Sequence, residues 1–583
     1  MNPKFADFME SSCLALAREV PEFPTHMGMF EIAGEAVPQS YFTAIDSDSI
    51  EQRQTLVQSI KNQLRRFPRE ELNGSEQTSA DLLDFLTDYA YERGLVGIKG
   101  KDFLQHEYLI RPSVGLQSDL PLFLTDLHPM RHAADAEDYL SRLKSIASHL
   151  NEADRQIKLQ QSASLLPPAL VIQDSIEEIK KFIGMPVTQN ILHTAFSEKS
   201  ANLEGLNETH RQALLADTST ELDKNTYPAY RQLLSTLKGQ LPQASEIPGV
   251  WRLPDGDAWY QFQLNAATTT TMTADEIHEL GLQETDRLQQ KIIRACRDIG
   301  IQSNTINGCL QHLNAERPAN KEDTEQNRQD IVDRIGALIK DMEDKLPALF
   351  HQLPRGRITV KAIPRFAEAN RNQSYQPPSF DGSREGFFEL NVGQLLSETS
   401  FELPILVYHE IFPGHHLQIA LAGEDKTLPS LRRIITFDAY IEGWAKYAET
   451  IPEIHGINND PRFRIARMRR ELISTVNLAL DTGIHAKRWS KEQAQQFFSE
   501  NSGADDSFSR FIVHRSASVP AQMCAYKIGM MKMLELRRRM ETSLGDNFDI
   551  RDFHHTVLSR GSVPLALLDS IVDQDIESLR RST

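Results

Sequence analysis

Apolar residues recur at helical spacing along most of this 583-residue chain. Ile277, Leu280, Leu288, Ile292 and Cys296 share one stripe of a 3.6-residue repeat. Thr273-Ala274-Asp275-Glu276 opens that stripe as a capping box, in which Thr and Glu side chains satisfy each other's free backbone N–H groups. A second stripe runs through Ile331, Ile335, Leu338, Ile339, Met342 and Leu346, and Pro347 stops it because proline has no N–H to donate. Ser490-Lys491-Glu492-Gln493 predicts another capped start, leading into Phe497 and Phe498.

Three segments alternate with a period of two and predict strands: 260–271 (YQFQLNAATTTT), 358–363 (ITVKAI) and 386–392 (GFFELNV). Pro377-Pro378 and Asp381-Gly382 break the chain before the last of them. The acidic, Asn/Gln-rich stretch 314–330 reads as a solvated loop entering a helix. The fold expected is mainly α with a small antiparallel sheet. Residues 1–245 form a helical lobe with few chemical signals, and 246–583 carries all of them, with both expected in one continuous body.

Composition excludes more than it assigns. A net charge of −18 argues against a nucleic-acid partner, which needs clustered Lys and Arg. Cys13, Cys296, Cys309 and Cys524 form no CxxC pair, so neither a disulfide framework nor a thiolate metal site is indicated. Residues 1–20 carry Glu and Arg within their apolar stretch and show no signal peptide. No run of 18 apolar residues exists. The expectation is a cytoplasmic protein with no membrane partner.

The chemistry concentrates at His409-Glu410-Ile411-Phe412-Pro413-Gly414-His415-His416. A zinc peptidase needs three protein ligands, an open position for water and a carboxylate base. The usual helical form places two His one turn apart with Glu after the first. Here the one-turn position is Pro413. On a regular helix His416 would lie about 10 Å along the axis from His409, too far to share an ion. Pro413 opens that turn and Gly414 permits unusual backbone angles, so a bulged or looped-out turn is expected to return His415 to the metal. His416 is then a supporting or substrate-facing group. Glu442 and Glu449, seven residues apart, share a helix face. One can bind zinc while the other hydrogen-bonds a ligand histidine.

These residues resemble the bacterial domain-of-unknown-function family 885, and the resemblance implies a zincin-type metallopeptidase. Its HExxPGHHxQ motif stands at 409–418, an EGWAxYAE-like segment at 442–449 and a DxGxH segment at 481–485. Arg515, Pro520, Gln522 and 526–529 match a further segment, and Phe553-His554 with 561–565 a terminal one. Residues 377–391, ending at Asn391, look like the strand before the motif. The likeness spans at least 246–570, with Ser516 and Ala521 departing from an expected aromatic and an expected glycine. A weaker similarity to thimet-oligopeptidase-like helical zinc peptidases implies Glu442 as third ligand, Glu449 as its supporter and Tyr526 as oxyanion donor. Arg515 could clamp a substrate carboxylate or pair with an acid. His485, His554 and Asn391 are further supporting or substrate-binding candidates.

The reading is a zinc-dependent peptidase of short peptides. His409, His415 and Glu442 hold zinc, Glu410 activates its water, and a strand at 386–392 offers an edge along which an extended peptide can lie. Hydrolysis of a non-peptide amide or ester, or peptide binding without catalysis, uses the same residues.

Overall fold

A computed structural model describes residues 2–93, 107–315, 322–363, 365, 368, 373–380, 382, 384–396 and 401–582. Residues 316–321 of the acidic stretch and Asp381 of the expected turn lie outside them. The fold is mainly α. Two compact units divide it: 1–259 with 517–519, and 260–516 with 520–583.

In the first unit, helices Ala133–Ser162, Ala169–Gly184 and Tyr227–Gln240 contribute to one apolar core. Its buried tyrosines keep their hydroxyls satisfied: Tyr139 donates to the Leu192 carbonyl at 2.7 Å and Tyr230 to the Gln117 carbonyl at 2.6 Å.

In the second unit, both expected capping boxes form, at Thr273 before Ala274–Asp298 and at Ser490 before Lys491–Ser502. Ile331, Ile335, Ile339 and Met342 are buried along Glu325–Glu343. Of residues 260–271, expected as a strand, 260–268 instead lie in the helix Gly256–Thr268. Tyr260, Gln263, Leu264 and Ala267 are buried at helical spacing, and Tyr260 and Leu264 fit either period. Tertiary bonding selects the helix, because the Tyr260 hydroxyl donates to Asp481 Oδ1 at 2.6 Å.

Strands Ile358–Ala362, Ser374–Gln376 and Gly386–Leu390 form one sheet with Gly386–Leu390 in the middle. The sheet is mixed, not antiparallel. Ile358–Ala362 runs parallel to the middle strand, with Ile358 opposite Gly386, and Ser374–Gln376 runs antiparallel, with Ser374 opposite Glu389. Alternation along a strand sets its faces but not the direction of its neighbour. Having a partner on each side, Gly386–Leu390 is not an edge to which a peptide can add.

Two glycines set the spacing of the helices that matter most. Helix Asp438–Ala448 crosses Cys524–Leu544 where Gly443 meets Gly529. A Cβ on Gly443 would stand 2.5 Å from Gly529 Cα, and one on Gly529 would overlap the Ala439 carbonyl oxygen. Close crossing brings Glu442 on the first helix against Tyr526 on the second. Among the described residues no helix is long and apolar enough to cross a membrane.

Candidate metal centre

Helix Leu403–Glu410 is apolar on every side and buried from Leu403 to His409. It stops at Glu410, and helix His415–Glu424 starts afresh after residues 411–414. The Pro413 carbonyl accepts from Trp444 Nε1 at 2.9 Å. A Cβ on Gly414 would overlap the His409 carbonyl oxygen, so the return path requires glycine. The restart places His415 beside His409, with ring centroids 4.9 Å apart and planes at 86°.

Glu442 Oε2 lies 3.6 Å from His409 Nε2 and 3.7 Å from His415 Nε2. One ligand atom from each residue falls within a 4.8 Å group. Tetrahedral ligands about 2.1 Å from a zinc ion stand about 3.4 Å apart, so the separations fit a shared ion. They are too long for hydrogen bonds, and Glu442 Oε2 is buried without a hydrogen-bond partner. Burying an unpaired carboxylate oxygen is costly, and a cation between the three atoms would remove that cost. Burial alone would raise the Glu442 carboxyl, yet the two histidines hold it well below the ordinary range. Burial alone would lower His409, yet Glu442 and Glu449 hold it up at about 9.

Glu449 Oε1 accepts from His409 Nδ1 at 2.9 Å, which leaves Nε2 facing Glu442. Lys446 Nζ in turn donates to both Glu449 oxygens, at 2.9 and 2.7 Å. Both residues are buried. Burial would raise Glu449, but Lys446 and His409 hold it down to about 2. Sequence reasoning passed over Lys446. Its signal is a cation one helical turn before Glu449 in a run of aromatic and small residues.

Glu410 ends its helix next to His409 and is half-buried. Tyr526 lies beside Glu442 and Arg515, and burial followed by the Glu442 charge pushes its hydroxyl up. Arg515 Nη2 donates to Gln522 Oε1 at 2.9 Å. Asp481 pins the turn leading to Tyr526, accepting from the Ser516 hydroxyl at 2.8 Å and the Ala521 N–H at 2.9 Å. Both departures from the family pattern are thereby accommodated: Ser516 supplies a donor, and Ala521 adopts φ 72°, a backbone region where glycine is at home.

The remaining candidates are engaged by other partners. His416 Nε2 donates to the Gly356 carbonyl at 3.1 Å and its Nδ1 accepts from the Tyr375 hydroxyl at 3.0 Å, so neither nitrogen faces the triad. Tyr375, on a short strand far away in sequence, carries no local signal that could have identified it. His485 Nε2 faces the Ser516 carbonyl at 3.1 Å. His554 Nδ1 donates to the Leu349 carbonyl at 2.8 Å and its Nε2 accepts from the Tyr447 hydroxyl at 2.9 Å. Asn391 caps the helix Val392–Leu395 through the Gln394 N–H at 3.2 Å, and its Nδ2 donates to the Glu368 carbonyl at 2.7 Å.

Fold and site together describe a helical protein with a His-His-Glu group that could hold a metal ion. The chain belongs to the family described as a bacterial protein of unknown function (DUF885), which it matches over residues 21–572. A crystal structure of a "putative lipoprotein" from Colwellia psychrerythraea is 27% identical, covers 99% of both chains and superposes with a TM-score of 0.92. A structure from Shewanella oneidensis, a "putative lipoprotein of unknown function", is 17% identical over 97% of this chain and 99% of that one. Its TM-score of 0.70 shows the shared fold alone. PZ peptidase A with an inhibitor is 11% identical over 91% of this chain and 97% of that one, and its TM-score of 0.35 is too low to guide interpretation. Comparison with curated proteins gives no match. The lipoprotein descriptions overturn the expectation of a cytoplasmic protein. That expectation rested on the missing apolar leader in residues 1–20, and such an absence does not specify a compartment.

Proposed function

We propose that this chain is a zinc-dependent peptidase acting outside the cytoplasm. The observation that carries the reading is the convergence of His409, His415 and Glu442 on one point. Those three residues would hold zinc, and Glu449 steers His409 toward it. Zinc, when bound, supplies a Lewis acid for a peptide carbonyl and lowers the pKa of its water. Glu410 takes the proton of the attacking water and delivers it to the leaving nitrogen. Tyr526, beside Glu442, donates a hydrogen bond to the carbonyl oxygen as charge develops there.

Testing this requires metal content and peptide cleavage measured on the same preparation, with Glu410→Gln alongside. The expected result is about one zinc per chain in both proteins. Cleavage of a short-peptide pool, read by mass spectrometry, should fall about 100-fold or more in Glu410→Gln. Zinc binding without peptide cleavage by the wild type would refute the reading, as would undiminished cleavage by Glu410→Gln.

A further inference from the structure

We infer that the site takes peptides by their free C-terminal carboxylate, held by Arg515 and Gln522, and releases one or two C-terminal residues. This deepens the peptidase reading and rests on it.

Arg515 is half-buried, and among the described residues no carboxylate lies within ion-pair distance of it. Acids outnumber cations in this chain, with 81 Asp and Glu against 63 Lys and Arg. The nearby buried cations each hold an acid: Lys446 pairs with Glu449, Arg467 with Glu453 and Glu471, and Lys527 with Glu471. Arg142, elsewhere in the chain, lacks an acid but donates to the Tyr41 and Pro38 carbonyls. Among the described residues Arg515 Nη2 donates to the Gln522 amide oxygen, and the Tyr526 hydroxyl lies nearby. A guanidinium carries five N–H donors, so several remain for a ligand. Because Gln522 spends its oxygen on Arg515, its amide N–H groups also remain. A fork of N–H donors beside an amide NH2, with no acid among the described residues paired to them, suits a carboxylate.

Position relative to the metal triad sets which carboxylate. Tyr526 lies beside both Arg515 and Glu442. With that one side chain between them, the guanidinium stands roughly 6–8 Å from the Glu442 carboxylate. An extended chain advances about 3.4 Å per residue. A carboxylate on Arg515 therefore lies one or two residues beyond the carbonyl under attack. In the reaction the water oxygen bonds to that carbonyl carbon, the C–N bond breaks, and Glu410 hands the proton to the amine of the short C-terminal fragment.

The test compares an N-acetylated tetrapeptide with its C-terminal amide. Binding is measured by calorimetry on zinc-loaded Glu410→Gln, and cleavage on the zinc-loaded wild type. The acid should bind roughly 10- to 100-fold more tightly than the amide. Adding Arg515→Met should bring that ratio near one. Arg515→Lys should restore part of it, since charge returns without the fork, and Gln522→Leu should lower it a few-fold. Equal binding of acid and amide overturns the inference, as does a preference that survives Arg515→Met; either result leaves the peptidase reading standing if the wild type cleaves. Acid preference without cleavage by the wild type keeps the carboxylate site and sinks the peptidase reading. Should Arg515→Met fail to fold, Arg515→Lys and Gln522→Leu must both reduce the ratio, and its persistence in both overturns the inference.

Discussion

Lys446 and Glu449 are 3% and 1% exposed, and Lys446 Nζ approaches both Glu449 oxygens, at 2.9 and 2.7 Å. Glu449→Gln leaves the ammonium buried opposite a neutral amide. Removing one partner of a buried pair costs about 3–5 kcal/mol, because the other charge stays out of water. Lys446→Met should cost less, since Glu449 keeps the His409 Nδ1–H at 2.9 Å. The double substitution removes both charges and should recover most of the Glu449→Gln loss. Urea unfolding followed by circular dichroism gives the cycle. A second readout separates packing from metal positioning: Glu449→Gln should weaken zinc binding about 10- to 100-fold in chelator competition, because the Nδ1 bond orients the ring. The reasoning fails if Glu449→Gln unfolds within about 1 kcal/mol of wild type. It also fails if the double substitution costs the sum of the singles, which would mean water already screens the pair.

Acid stability should depend on His554, which burial pulls down to about 3. A histidine depressed on folding stabilises the protein above its unfolded pKa of about 6.5, and that contribution is lost as pH falls toward the folded value. At about 1.4 kcal/mol per pH unit, wild type should lose about 2 kcal/mol more than His554→Gln between roughly pH 6.5 and 5; parallel urea profiles would exclude it. Gly529→Ala should drive its methyl into the Ala439 carbonyl and lower stability by about 1–3 kcal/mol. It should also weaken zinc binding, because the helix carrying Glu442 must move; unchanged zinc affinity would show that the crossing does not position the site.

Much of the local structure was legible because its causes are local. Thr273 with Glu276 and Ser490 with Gln493 cap helices through neighbours in sequence. Segments 358–362 and 386–390, expected as strands, form strands. The histidines around Pro413-Gly414 marked the likeness to a zinc site, since few other chemistries use that pattern. Segment 260–271 misled because its alternating apolar positions also lie on a helix face, which the structure buries and ties to Asp481 through Tyr260. Strand direction beside Gly386–Leu390 depends on where the chain returns, which alternation does not encode.

The sequence alone determined the mainly helical class and marked the residues expected to carry metal-site chemistry, because helix periodicity, caps and reactive side chains are properties of short stretches. Tertiary structure alone decided how they meet. His415 joined His409 because residues 411–414 loop out completely, while His416 was drawn to Tyr375 and Gly356. Lys446 mattered because burial leaves Glu449 dependent on it. Among the described residues Arg515 has no carboxylate within ion-pair distance, which depends on how distant segments pack around it. Each outcome depends on distances between segments far apart in the chain, set by close packing such as that of Gly443 on Gly529.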